Sequence, residues 1–153
     1  MDLLTRLFNE LYVLGLAATP LIELRGSVPL AAALGLSIEE AFILSFIGNL
    51  LPTPFVIWLG RKLLGFLKGT RFFGSFGRRL ERRFLSKRDV VVRYSVAGLV
   101  LLVAIPLPGT GAYTGAFLAS LLDIRMQYAL PAVALGVFIA DVIVTVLTYG
   151  LIM

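Results

Sequence analysis

Charged residues are almost absent from four long stretches of the sequence. These are residues 11–38, interrupted by Glu23 and Arg25; residues 41–60; residues 94–122; and residues 126–153, interrupted by Asp141. A helix rises about 1.5 Å per residue and a bilayer core is about 30 Å thick, so about 20 apolar residues cross it once. The pattern predicts four membrane-embedded segments, of which 41–60 and 126–153 are long enough to span.

Proline and glycine interrupt the other two segments near their centres. The run PLPGTG at residues 106–111 leaves a flank of about 17 Å on each side, half a bilayer. In the first segment, Pro20 and Pro29 lie on either side of Glu23 and Arg25. We predict that each segment is a re-entrant hairpin that turns at the middle of the membrane. A single kinked spanning helix is the alternative.

An internal repeat links the two halves of the chain. At an offset of 86 residues, the aligned pairs are Pro20 with Pro106, Ala33 with Ala119, Ser37 with Asp123, and Ile38 with Ile124. Ser37 and Asp123 are both residue types that cap helix N-termini. Each half then contains one hairpin and one spanning helix, an odd number of crossings. The second half is therefore predicted to lie upside down, as in the inverted repeats of secondary transporters.

The predicted fold is an all-α integral membrane protein of one domain, with a first repeat over residues 1–60 and a second over 94–153. The connector, residues 61–93, carries 11 of the 14 basic residues against Glu81 and Asp89, a local charge of +9. The positive-inside rule places this connector in the cytoplasm of a multi-pass cell-membrane protein. The first hairpin then enters from outside, the second enters from the cytoplasm, and both termini lie outside.

The connector has an apolar stripe of its own. Phe73, Phe76, Leu80 and Phe84 recur at helical spacing, with arginines largely on other faces. This predicts an amphipathic helix on the inner leaflet, with membrane lipids and their anionic head groups as partners. The alternative is a charged loop that only fixes topology. A stripe differs from an exposed stacking platform, so nucleic acid is not an expected partner, and so few helices predict a homodimer.

Three charged side chains fall within apolar segments. Glu23, Arg25 and Asp141 would each cost roughly 2.5–3.5 kcal/mol at the bilayer centre, so we expect them to be paired, hydrated or functional. Glu23 and Asp141 are candidate proton carriers, since carboxyl groups in apolar surroundings can exchange protons near physiological pH. An ion pair of Arg25 with a carboxylate that only holds the hairpin in place is the alternative.

The hairpin tips predict an anion site. Returning half-helices that begin near Gly26 and Gly111 would direct free N–H groups and positive dipole ends into the membrane. Asn49 is either an interhelical hydrogen-bonding group or a ligand contact. The predicted substrate-binding residues are Arg25, Gly26, Ser27, Asn49, Pro106, Pro108, Gly109, Thr110, Gly111 and Tyr113.

The absence of cysteine and histidine narrows the chemistry. It removes disulfides, thiol catalysis, imidazole acid–base catalysis and the commonest metal ligand. No pair of nucleophile and base and no metal cluster is apparent in the sequence. We therefore expect no enzyme activity, no cofactor and no metal.

The runs TPLIELRGSVP at residues 19–29 and PLPGTGAYTG at residues 106–115 resemble the small multidrug export protein family. That family is similar to the DedA and VTT membrane proteins. The resemblance implies paired re-entrant hairpins and an inverted repeat, with Glu23 and Arg25 at the first tip and residues 106–111 at the second. It also implies movement of polyprenyl-phosphate or phospholipid head groups, often coupled to protons.

The expected function is that of a proton-coupled transporter or flippase. It would move an amphiphilic anion such as a lipid phosphate through a midplane site between the two hairpins. Export of small molecules or multiple drugs is the alternative within transport. A membrane scaffold that transports nothing is the alternative outside it.

Overall fold

A computed structural model of the chain describes residues 3–69, 88–107 and 110–152. Its helices are α1 (Leu3–Ala17), α2 (Glu23–Ala33), α3 (Ile38–Leu50), α4 (Thr53–Lys68), α5 (Arg88–Ala104), α6 (Ala112–Leu121) and α7 (Met126–Ile152). The described part of the chain is helical throughout, without strands, as predicted. The amphipathic helix predicted around residues 73–84 lies outside the described residues, as do Pro108 and Gly109.

Two helical stretches are long and apolar enough to cross a membrane, Ile38–Leu63 and Met126–Leu151. The first joins α3 to α4 through a turn at Leu51 and Pro52, and α4 continues beyond Gly60. Each stretch has 26 residues, about 39 Å of helix. Only 28% and 39% of their most apolar windows are buried inside the protein, whereas the core helix of a soluble protein is mostly buried.

Small side chains fill the space between the helices, and large apolar ones face outward. The fully buried alanines and valines include Ala31, Ala41, Ala112, Ala116, Ala119, Val28, Val133 and Val137. On α7, Leu135, Val146 and Leu147 are each more than half exposed. Small residues at helix contacts with an apolar exterior are typical of helices packed in lipid.

The helix α1 runs parallel to α3 and stops half-way along the first long stretch. Arg6 in α1 forms an ion pair with Glu40 in the first turn of α3, so the two helices begin at the same end. At the other end of α1, a Cβ atom on Gly48 would lie 2.7 Å from Ala17 Cβ. Gly48 is about 15 Å along the stretch from Ile38, half the thickness of a bilayer core. Residues 18–22, called the first break, separate α1 from α2.

The helix α5 packs on α7 as α1 packs on α3. A Cβ atom on Gly136 would lie 2.9 Å from the Val100 carbonyl oxygen and 2.6 Å from Val103 Cβ. Gly136 follows Gly48 by 88 residues and lies at the same position in its own 26-residue stretch. Like α1, α5 therefore ends half-way along the long helix beside it. Residues 105–111, called the second break, separate α5 from α6.

The turns after α2 and α6 share one backbone pattern. Gly35 (φ +75°) and Asp123 (φ +51°) are the left-handed residues that end these helices. Each donates its N–H to the carbonyl three residues before it. The next residue, Leu36 or Ile124, donates to the carbonyl five residues before it. The two turns are 88 residues apart.

The repeat offset of 86 predicted from the sequence does not describe the whole repeat. It relates Ala17 to Val103 at the ends of α1 and α5, but the second break is two residues longer than the first, so later residues correspond at 88. Ser37 caps α3 in a capping box with Glu40. Asp123 instead ends α6, so the prediction that it caps the last helix is wrong.

Reciprocal contacts join the two long helical stretches at both ends. Arg61, near the end of the first stretch, donates to the carbonyl oxygen of Ile124, just before α7. Tyr149, near the end of α7, donates to the carbonyl oxygen of Leu36, just before α3, at 2.9 Å. Both pairs of corresponding residues are 88 apart. The two long stretches therefore run antiparallel.

Candidate functional site

Each break contacts the helix that follows the other break. The hydroxyl of Tyr113, in the first turn of α6, donates to the carbonyl oxygen of Ala18. Arg25 Nη2 donates to Thr110 Oγ1 at 3.1 Å. Because α1 and α5 both end half-way along a long helix, the breaks that follow them reach the same level. Polar groups 85 to 95 residues apart in the sequence are thereby brought together.

Glu23 begins α2 and places its carboxylate on the N-terminus of α6. Its Oε1 atom accepts a hydrogen bond from the Tyr113 N–H at 3.4 Å, and the residue is only 7% exposed. A Cβ atom on Gly111 would lie 2.7 Å from Glu23 Cδ, so glycine at position 111 permits this approach. The φ of Glu23 is +50°, a left-handed conformation that costs about 1–2 kcal/mol for a residue other than glycine.

The hydroxyl of Thr110 organises the second break and its contact with Arg25. Thr110 Oγ1 lies 2.7 Å from the Ile105 carbonyl oxygen and 2.9 Å from that of Leu107, and it accepts a hydrogen bond from Arg25. Within the part of the chain that the structure describes, no ion pair joins Arg25 to Glu23 or Asp141. Arg25 is half-buried and carries five donors, so it retains donors for a ligand.

The two half-helices begin at different places relative to their breaks. The prediction that α6 begins at Gly111 and Ala112 is confirmed. The prediction that the other half-helix begins near Gly26 is wrong, because α2 already begins at Glu23 and the Gly26 N–H donates to the Ile22 carbonyl at 3.3 Å. Ser27, one helical turn after Glu23, donates to Ser45 Oγ at 2.7 Å in a buried contact that joins α2 to α3.

Asn49 lies on α3 beside the meeting point of the breaks. It is 1% exposed, and neither its amide oxygen nor its amide nitrogen has a hydrogen-bond partner. The residue lines a cavity of about 10 Å³ together with Glu23, Arg25, Gly111 and apolar side chains. That volume holds about one water molecule at most. The interhelical hydrogen bond predicted as one role for Asn49 is not present.

Asp141 lies on α7, next to Ala140 in the cavity wall. It is fully buried, and Thr145 Oγ1, one turn along the helix, donates to its Oδ1 at 3.3 Å. Its Oδ2 atom is buried without a partner. Asp141 and Thr145 on the last helix thus both face the protein interior. Asp141 itself does not line the cavity that Glu23 and Arg25 share.

The remaining predicted site residues belong to the second break. Pro106 is half-buried, and Pro108 and Gly109 lie outside the described residues. No group of three or more acidic side chains that could hold a metal occurs in the ranges 3–69, 88–107 and 110–152. The polar groups of the site are one carboxylate, one guanidinium, one amide, the hydroxyls of Thr110 and Tyr113, and the N-terminus of α6.

Several residues that position the site were missed in the sequence. Gly48 and Gly136 bring α1 and α5 close enough for the breaks to meet, and glycine inside a long apolar helix is a known signal for such packing. Arg61 and Tyr149 join the ends of the long helices. In the sequence, Arg61 is one of the basic residues of the connector, and nothing in its neighbourhood or in that of Tyr149 predicts these contacts.

A family model with the description "Putative small multi-drug export protein" matches residues 23–143. The chain belongs to this family. The match to the small multidrug export model begins at Glu23 and includes both Arg25 and the second break. Together with the two long apolar helices, it identifies a membrane protein. No curated protein and no solved structure matches the chain.

Proposed function

We propose that this chain is a membrane exporter of small molecules, with its substrate site where the first and second breaks meet. The observation that supports this most is the convergence of Glu23, Arg25 and the N-terminus of α6 on one cavity. Charged side chains embedded in a membrane protein usually serve substrates or ions, because placing them there is unfavourable. The description of the family, which names export, supports the same conclusion.

We propose further that the chain crosses the membrane twice and enters it twice from opposite faces. Because α1 and α5 end half-way along antiparallel long helices, each break would lie near the midplane if those helices span. Hairpin α1–α2 and hairpin α5–α6 would then form an inverted repeat. The +9 charge of residues 61–93 favours a cytoplasmic connector beside anionic lipid head groups, with both termini outside. A homodimer remains part of the proposal.

Proton coupling would use the two buried carboxyl groups. Glu23 lies at the substrate cavity, and Asp141 lies one residue beyond its wall with one oxygen unpartnered. A carboxyl group that alternates between a bonded and an exposed position can bind a proton on one side and release it on the other. Glu23 would exchange with the substrate, and Asp141 would accept the proton within α7.

An amphiphilic anion such as a lipid phosphate is the second candidate substrate. Arg25 and the N-terminus of α6 favour it, because a guanidinium and a helix N-terminus both bind oxyanions. Inverted hairpins of this kind would also relate the chain to the DedA and VTT proteins. The second break contains no arginine, in contrast to typical DedA proteins.

The test is transport by purified protein in proteoliposomes that contain a pH-sensitive dye. Cationic, neutral and anionic compounds, including a short-chain phosphatidic acid, are added under an imposed pH gradient. We expect Glu23→Gln and Arg25→Lys to slow transport at least about tenfold, which corresponds to about 1.4 kcal/mol. Glu39→Gln and Arg125→Lys make the same chemical changes at exposed positions and should leave the rate unchanged.

The outcomes separate the candidates. Substrate-driven proton movement by a cationic or neutral compound supports export of small molecules, and movement with phosphatidic acid supports the lipid-phosphate candidate. Equal rates in wild type, Glu23→Gln and Arg25→Lys contradict a transport site at the breaks. Folding of each variant is checked by its elution as a single species in detergent.

A further inference from the structure

The N-terminus of α6 holds an anion that belongs to the protein itself. The carboxylate of Glu23 accepts the Tyr113 N–H at 3.4 Å, and a Cβ atom on Gly111 would lie 2.8 Å from its Oε1 atom. The carboxylate thus lies against the backbone at the position where a helix N-terminus binds an external oxyanion. Glycine at position 111 leaves room for such a group.

A second observation shows that this cavity is suited to a ligand. Asn49 lines it, is 1% exposed, and has neither a donor nor an acceptor for its amide. A buried amide without a partner is unfavourable unless a bound group satisfies it. Its N–H and C=O match a monoprotonated phosphate group, which offers acceptor oxygens and one hydroxyl donor.

With the Glu23 carboxylate displaced, the remaining charges around the cavity favour an anion over a cation. Arg25 lines it, and its Nη2 atom is fixed by Thr110 at 3.1 Å. The guanidinium can present two parallel donors to an oxyanion, and the positive end of α6 adds to its attraction. A cation would meet both groups with the same sign of charge.

The cavity is too small for a phosphate group while Glu23 occupies its present position. Its volume of about 10 Å³ accommodates one water molecule at most. Movement of the Glu23 carboxylate would free the N–H of Tyr113 and the space against Gly111.

We propose that Glu23 is an internal competitor for an oxyanion site made by the N-terminus of α6, Arg25 and Asn49. A substrate phosphate group binds there by displacing the Glu23 carboxylate. This inference rests on the proposed function, since it names a substrate class for the same site and assigns Glu23 the role of limiting its affinity. Glu23 therefore opposes binding of the anion although transport requires it.

The experiment measures phosphate binding by the full chain in detergent with isothermal titration calorimetry. The probes are inorganic phosphate and a short-chain phosphatidic acid. We expect Glu23→Gln to bind at least about tenfold more tightly than wild type, because it keeps the shape and removes the competing charge. Glu23→Asp, whose carboxylate is one methylene further from Gly111, should fall between the two. Arg25→Gln should lose binding, and Glu39→Gln should match wild type.

The two probes distinguish a site for any phosphate group from a site for a lipid head group. Tighter binding of both probes supports a site for any phosphate group, and tighter binding of phosphatidic acid alone supports one for a lipid head group. Equal or weaker binding of both probes by folded Glu23→Gln and Glu23→Asp overturns the inference. Transport by the same preparations is a separate readout: an unchanged transport rate in Glu23→Gln contradicts the proposed function, whatever its phosphate affinity.

Discussion

The side chain of Asn49 is retained at a cost in stability. An unpartnered buried polar group is unfavourable by about 1–3 kcal/mol, and leucine branches at the same carbon atom, Cγ, without polar atoms. We predict that Asn49→Leu raises the thermal unfolding midpoint in detergent while transport falls. Ser45→Ala is the matched control on the same helix. It should lower the midpoint, because the Ser27 hydroxyl loses its acceptor at 2.7 Å.

A lower midpoint for Asn49→Leu together with normal transport would contradict this interpretation. The amide would then make stabilising contacts in the folded protein and have no role in the site. Equal unfolding midpoints for Asn49→Leu and Ser45→Ala would also contradict it, because the first substitution is expected to raise the midpoint and the second to lower it.

Some individual residues of the site could be predicted from the sequence and others could not. Glu23, Arg25 and Asp141 could be identified because charges in apolar segments are expensive whatever their neighbours. The starting point of α2 could not, because Glu23 enters the helix through a left-handed backbone that propensity disfavours for glutamate. The carboxylate on Gly111 depends on that conformation, so its contact had no signal in the sequence.

Among the helices, the glycines at the contacts with α1 and α5 determine where the breaks lie. A Cβ atom on Gly48 would lie 2.5 Å from the Leu14 carbonyl oxygen, and one on Gly136 would lie 2.9 Å from that of Val100. Backbone atoms cannot move aside as a flexible side chain can. We predict that Gly48→Ala and Gly136→Ala each destabilise the protein by about 1–3 kcal/mol, as overpacking does.

Gly15→Ala is the control for these substitutions. Its Cβ atom would meet nothing within 4 Å, and alanine favours a helix over glycine by about 1 kcal/mol. Thermal unfolding in detergent should therefore show Gly15→Ala at or above the wild-type midpoint and the other two below it. Gly48→Ala and Gly136→Ala with midpoints equal to that of Gly15→Ala would show that α1 and α5 do not pack closely on the long helices.

The apolar helices and their interruptions could be predicted from residue types alone. The way in which two helices pack against each other could be predicted less well. The long apolar stretches and their interruption by proline and glycine follow from residue types. The difference of two residues between the breaks does not, because the contacts of Gly48 and Gly136 involve backbone atoms that any residue provides. Identical residues therefore suggest one offset of 86, whereas the structure relates residues after the breaks at an offset of 88.

For the molecule as a whole, the reciprocal contacts between the two long helical stretches do not use identical residues. Arg61 and Tyr149 are chemically different, yet each donates to a carbonyl oxygen beside the start of the opposite long helix. Contacts to backbone carbonyl oxygens leave little signal in the sequence, because any residue provides such an acceptor. Fold class and membrane character were predictable because apolar composition and charge placement act over the whole chain.

Entry of the two hairpins from opposite faces of the membrane can be tested by labelling position 125. The chain has no native cysteine, so Arg125→Cys provides a single exposed label site between α6 and α7. Ser75→Cys marks the connector, and Glu39→Cys marks the first turn of α3. With a membrane-impermeant maleimide, we expect positions 75 and 125 to react only from the cytoplasmic face and position 39 only from outside. Reaction of position 125 from outside, with position 75 inside, would mean that residues 94–122 cross the membrane. That result would contradict a second hairpin that enters and leaves on the cytoplasmic face.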